Sequence, residues 1–235
     1  LHGGKLPTAV GVGPPPHRGF APVTIIFKGG VHHRDSRGHE GVIYGGGTQW
    51  MHSGMGIVHS ERPAKEIAEN GGDFELIQFW VNAPASKKME QPAYYPLTEE
   101  ETPVIKTGND AIHIKVVSGE FNGVKGPVPT FTPMLAMRMV FKNGGEYDFP
   151  LPKNFNAFVY LLSGKITVNG NQTAKSRDLI WLNNDGEGIT IKADEDARFM
   201  LLAGEPIGEP VEAYGPFVMN NQTEIMQAMR DYQQG

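Results

Sequence analysis

The chain reads as all-β and as two domains. Thirty Gly and eighteen Pro among 235 residues punctuate short runs rich in Val, Ile, Phe and Tyr, the pattern of many short strands joined by tight turns. That length suits two domains of ordinary size. The halves also resemble diverged copies of one another. Phe27-Lys28-Gly29-Gly30 and Leu162-Ser163-Gly164-Lys165 each end a β run at a Gly turn, Trp50 and Trp181 each close a later strand, and each half ends in an apolar strand, at 74–80 and 199–203.

In order, strands are expected at residues 23–27, 41–43, 48–51, 56–60 and 75–82, then at 134–141, 157–163, 165–168, 178–182, 188–192 and 197–203. These runs favour β-branched and aromatic residues, which pack well on a pleated surface, and turn-forming residues lie between them. Residues 87–103, with prolines on either side of Thr98-Glu99-Glu100-Glu101, read as a linker whose acidic run is solvated, dividing the chain into domains 1–97 and 98–235. Two stretches read as helical. One is the short polar 64–70; the other is the tail from about Thr223, where Ile225, Ala228, Met229 and Tyr232 recur at helical spacing and Asn221 with Glu224 has the form of a capping box.

Composition removes several function classes. No apolar run approaches the length of a membrane span, and no charged-then-apolar segment of the signal type opens the chain. The sequence starts on Leu1 rather than Met, as a trimmed or processed version of a longer product would. Cysteine is absent, which excludes disulfides, thiolate ligands and cysteine nucleophiles and fits a cytoplasmic bacterial protein. A net charge of -5 leaves no basic footprint for a phosphate backbone, so direct nucleic-acid binding is not expected. There is no Gly-x-Gly-x-x-Gly between strand and helix, no Walker sequence and no Gly-x-Ser-x-Gly elbow.

Histidine is the informative residue. All eight lie at or before His113, so a His-ligated metal is confined to the first half. Val58-His59-Ser60-Glu61 puts an imidazole and a carboxylate two apart on a strand, where both project to one face. His17 joins them if its strand lies beside that of His59. Two imidazoles and a carboxylate are the donors of non-haem Fe(II) oxygenases; Mn, Co, Ni, Cu or Zn suits similar donors. Set against this, a lone His-x-Glu in a β protein is usually surface polar pairing. The Ile57-Val58 tract and the glycines at 45–47, 54 and 56 favour a close-packed pocket instead. His32, His33 and His39 lie in the charged hairpin 31–40 and read as solvated turn residues. His52, beside Trp50-Met51, is a candidate pocket residue; His2 and His113 have no constellation around them. Trp50, Trp80 and Trp181 read as core, Trp50 also as pocket wall.

Pro16-His17-Arg18-Gly19-Phe20, Gln49-Trp50-Met51, the run from Gly54 to Glu61, and Phe79-Trp80-Val81-Asn82 closely resemble the N-terminal domain of the pirin family. Gly204-Glu205-Pro206-Ile207 and the run from Gly215 to Asn220 resemble its C-terminal signature. The likeness extends from about Val12 to the end of the chain. It implies a bicupin: two cupin-type (double-stranded β-helix, jelly-roll) barrels face to face with a short C-terminal helix, iron or a related divalent metal in the first barrel, and no metal ligands in the second. By that resemblance His17, His59 and Glu61 are ligands, while the family's first histidine falls on Pro15, which offers no donor. Water, His52 or a substrate would have to fill the gap, or the metal is lost. Ala21 likewise stands where relatives often carry Glu.

The resemblance implies a metal-dependent dioxygenase of the quercetinase type, an oxidoreductase acting on a small aromatic, flavonol-like or other enolisable substrate. The substrate oxygen would join the metal, and Glu61 would serve as ligand or as catalytic base. The alternatives are a redox-sensitive regulatory protein binding a transcription factor or metabolic enzyme, and a metal-free relic in which His17, His59 and Glu61 only hydrogen-bond.

Overall fold

The computed structural model describes residues 14–235, and they form two compact units. The first comprises the described residues up to Glu101 together with Gly208–Gly235; the second is Thr102–Ile207. The tail, grouped on sequence with the second domain, thus belongs with the first unit.

In the first unit the strands are β1 (Pro16–His17), β2 (Phe20–Lys28), β3 (Gly30–Asp35), β4 (Glu40–Tyr44), β5 (Thr48–His52), β6 (Ile57–Pro63), β7 (Glu75–Asn82) and β8 (Ala93–Leu97), with the short α1 (Lys65–Asn70) after β6. They build two four-stranded antiparallel sheets, ordered β1-β6-β3-β4 and β7-β2-β5-β8. Polar side chains bridge the facing sheets: Gln49 Nε2 donates to the Val31 carbonyl at 3.0 Å, and Thr24 Oγ1 donates to Glu61. Strand β8 lies inside the stretch read as linker. Tyr94 and Tyr95 explain why, since they pair with Met51 and Trp50 of β5 and add aromatic surface to both faces of the sheet.

The Glu212–Tyr214 and Phe217–Met219 hairpin and helix α2 (Gln222–Gln234) complete this unit. Asn221 caps α2, its Oδ1 accepting from Glu224 N at 3.0 Å; the Glu224 carboxylate reaches Asn220 N instead of the cap's own N–H. Three ties hold the tail beside β1. Arg18 donates to the Met55 carbonyl and pairs with Asp231 at 2.8 Å; Val218 N donates to the Arg18 carbonyl; and the buried Lys88 donates to the carbonyls of Gly19 and Val218 and to Asn82 Oδ1. Gly19 is required where β1 turns into β2: its φ is +87°, and a Cβ there would meet the Val218 carbonyl at 2.1 Å.

The second unit repeats the two-sheet plan with a six-stranded and a four-stranded sheet. Its interior holds Ile114, Val116, Met137, Met139, Phe141, Phe149, Leu161 and Phe199. The duplication read from sequence has a structural counterpart. Register shifts by one residue between Ile26 and Lys28 and again between Leu161 and Ser163, each just before a left-handed glycine, Gly29 or Gly164. In both units the Trp strand pairs with this bulged strand, Trp50 opposite Val23 and Trp181 opposite Phe158. Bulges of this kind bend a strand where a sheet curls into a barrel. Among the described residues no helix is long and apolar enough to cross a membrane.

Candidate metal centre

Strand β6 positions the donors, because it lies between β1 and β3. His59 and Glu61 are two apart on it and share a face. On one flank His17 pairs with Ile57, one diagonal step from His59. On the other flank His33 pairs directly with Glu61, and Asp35 with His59. Residues paired across antiparallel strands point to the same face, so this register lines up His17, His59 and His33 across three strands with Glu61 beside them. The His17 and His59 rings are 4.8 Å apart, and those of His33 and His59 5.6 Å. One ligand atom each from His33, His59 and Glu61 lies within 4.8 Å of the others.

Of the residues singled out on sequence, His17, His59 and Glu61 all reach this region, although the tightest cluster takes His33 in place of His17. His33 is not the solvated turn residue that its charged surroundings predict. It is 0% exposed, its ring stacks on Tyr94 at 4.0 Å and 8°, and its Nε2 lies 2.9 Å from Asp35 Oδ2. The alternation of β3 explains the error. Val31, His33 and Asp35 face inward while His32 and Arg34 face out, so the inward set of a charged strand is itself polar. His32 and His39 are near the surface as read, bonded to Glu40 and Asp35. His52 is buried but belongs to the other face of β5, beside Trp50 and Tyr95, so it does not fill the place left at Pro15. Trp50 is core; Trp80 and Trp181 are not, being 46% and 64% exposed. The Trp80 ring is 5.7 Å from His17 and 4.2 Å from Phe20.

Electrostatics leave the imidazoles neutral. Burial lowers the His59 pKa to about 3, aided by the neighbouring His17 and His33 and opposed by Asp35. Burial also lowers His17, against a hydrogen bond to the Pro216 carbonyl, and lowers His33, against its bond to Asp35. Burial pushes the Glu61 carboxyl up, while hydrogen bonds from Thr24 and Gln78 hold it down. Thr24 Oγ1 is 3.1 and 2.9 Å from the two Glu61 oxygens, and Gln78 Nε2 is 2.9 Å from Oε2. Burial likewise pushes up Asp35, yet hydrogen bonds from His33, His39 and the backbone of residues 37 and 39 bring it below the usual carboxylate value.

The donors fit a borderline transition metal. Neutral imidazole and carboxylate suit such ions. The Nδ1 atoms of His33 and His59 are buried with no hydrogen-bond partner, a state that costs about 1–3 kcal/mol per group unless something occupies the lone pair. Among the described residues this is the one group of three or more His, Asp or Glu donors close enough to hold an ion.

These features define a two-domain, all-β cupin protein with a metal-capable cluster inside its first unit. Residues 3–81 match the pirin family model and residues 136–235 the model of the pirin C-terminal cupin domain; the chain belongs to the pirin family. It is 40% identical to Pirin-like protein 2 of Arabidopsis thaliana over 94% of this chain and 68% of that protein. Against pirin of Homo sapiens the identity is 37%, over 92% and 74%. A crystal structure of quercetin 2,3-dioxygenase from Acinetobacter baumannii superimposes with a TM-score of 0.92 at 38% identity, covering 96% of this chain and 78% of that one.

Proposed function

We infer that this protein is a metal-dependent dioxygenase of the quercetinase type, acting on a flavonol-like or other enolisable aromatic substrate. The observation that carries this reading is the buried cluster of neutral His59 and His33 with Glu61, each offering a ligand atom within 4.8 Å of the others. Similarity to the Acinetobacter baumannii enzyme supports the substrate class. A bound iron or related divalent ion would supply Lewis-acid polarisation of a substrate hydroxyl and a place for oxygen to react.

The chain's own residues supply the rest. Glu61 would offer one carboxylate oxygen to the metal and accept the hydroxyl proton of the substrate at the other. Thr24 and Gln78 aim that carboxylate. Trp80, half exposed and set against Phe20 and His17, offers a flat face on which a planar aromatic stacks.

The test is aerobic turnover of quercetin by the iron-loaded protein, followed by loss of flavonol absorbance and by oxygen consumption. We expect turnover in the parent and a loss of at least about a hundredfold in His59→Ala, the scale of removing a principal electrostatic element. Undiminished activity in that variant contradicts the reading.

A further inference from the structure

We propose that His33 is a ligand of the metal through its Nδ1 atom, replacing the donor missing at Pro15, and that Asp35 and His39 fix its tautomer and orientation. The inference rests on the metal centre proposed above and deepens it.

The hydrogen-bond pattern assigns the nitrogen. A carboxylate only accepts, so the Nε2 facing Asp35 Oδ2 at 2.9 Å carries the hydrogen. The lone pair of the neutral ring is therefore on Nδ1, and Nδ1 is the buried atom without a partner. Asp35 is itself held in place: Oδ1 accepts from the backbone N–H of Arg37 at 2.9 Å and of His39 at 3.1 Å, and Oδ2 faces His39 Nδ1 at 2.8 Å. An imidazole that gives one N–H to a carboxylate and keeps its other nitrogen as a free acceptor is the arrangement by which outer residues orient metal ligands. Stacking on Tyr94 fixes the ring plane as well.

The distances agree. Donors about 2.0–2.2 Å from one ion lie about 3–3.6 Å apart at tetrahedral or cis-octahedral angles, so a group whose ligand atoms lie within 4.8 Å of one another closes on an ion with side-chain shifts of about an ångström. His17 completes the set from the other flank. Its Nδ1 faces the Pro216 carbonyl at 3.3 Å, leaving Nε2 as its acceptor. The total is three imidazoles and one carboxylate, the number the family pattern implies, with one ligand moved from the chain before β1 to β3. Pro15 is near the same place, its carbonyl accepting from His59 N at 3.2 Å.

The experiment is a titration of Zn(II) into the metal-free full chain labelled with ¹⁵N-histidine, read by long-range ¹H–¹⁵N correlation spectra that report each ring nitrogen. We expect the Nδ1 resonance of His33 to leave the range of a bare acceptor together with the coordinating nitrogen of His59. A His33 Nδ1 that keeps its metal-free shift at saturating zinc, while His59 responds, overturns the proposal; no response from any histidine overturns it along with the metal centre. His33→Ala and Asp35→Asn should each weaken zinc at least about tenfold, the usual scale for supporting groups, and Pro15→His should restore affinity to His33→Ala. Wild-type affinity in folded His33→Ala is the contrary result, and the spectra of the parent protein decide if that variant fails to fold. Quercetin turnover without His33 coordination sinks this inference alone, whereas coordination without turnover sinks only the proposed activity.

Discussion

Replacing Thr24 by Val tests how Glu61 is held. The Thr24 hydroxyl is fully buried, donates to both carboxylate oxygens and accepts from Gln78 Nε2 at 3.0 Å. Valine keeps the shape and removes the hydroxyl, so ionised Glu61 retains only Gln78 among these donors. A hydrogen bond to a charged group contributes about 1.5–3 kcal/mol and one to a neutral group about 0.5–1.5 kcal/mol. The substitution should thus cost about 1–1.5 kcal/mol more where Glu61 is ionised than where it is protonated. The sign follows from linkage. Burial already raises the Glu61 carboxyl above its unfolded value, so its contribution to stability is full below the unfolded pKa and is lost as pH rises through the folded one. Removing a donor to the anion raises the folded value further, and the variant loses more stability than the parent as pH rises from the acid side. Urea denaturation of chelator-treated protein at a series of pH values measures this difference. A cost independent of pH would refute the idea that Thr24 acts on the carboxylate, leaving only a packing role.

Three further outcomes are expected. Trp80→Ala should raise KM for quercetin roughly twofold to tenfold with little change in kcat, because an offset aromatic stack contributes about 0.5–1.5 kcal/mol; steady-state kinetics decide. Burial lowers Lys88 from 10.5 to about 8, against the attraction of Glu209 and Glu224. The unfolded chain then binds that proton more tightly, so stability should rise with pH between about 8 and 10, and denaturation curves of Lys88→Met should lack this component. Asn221→Ala should cost about 0.5–2 kcal/mol through loss of the cap of α2, seen as faster amide exchange in its first turn.

Much of the fold was legible because local signals and tertiary demands agree. Residues 75–82, 134–141 and 165–168 became strands with the bounds read from sequence, and the tail helix begins behind Asn221 as its cap predicts. The missed strands are instructive. Ile112–Ser118 alternates buried Ile112, Ile114 and Val116 with polar His113 and Lys115, the period-two pattern of a half-buried strand. Ala93–Leu97 contains a proline and lies in a proline-rich stretch, so its pairing with β5 depends on tertiary contacts.

The candidate site was half legible. His59 and Glu61 follow from the i,i+2 rule, and the same rule applied to His33 and Asp35 would have put both on one face. What the rule could not supply was which face of β3 is inward, since its charged residues resemble a solvated hairpin. Thr24, Gln78 and Tyr94 come from the opposite sheet, and only the register and the closure of the two sheets bring them to the donors. Trp80 is half exposed because it lies beside Phe20 and His17 near the site rather than within the core, a distinction that residue type alone does not carry.

Elemental analysis of the protein purified without chelator or a histidine tag, beside His59→Ala, addresses the metal centre most directly. We expect a stoichiometric transition metal in the parent chain that disappears from the folded variant. A parent chain that takes up no iron, nickel or zinc even after anaerobic reconstitution, or a His59→Ala variant that holds the metal as well as the parent, would contradict the metal centre.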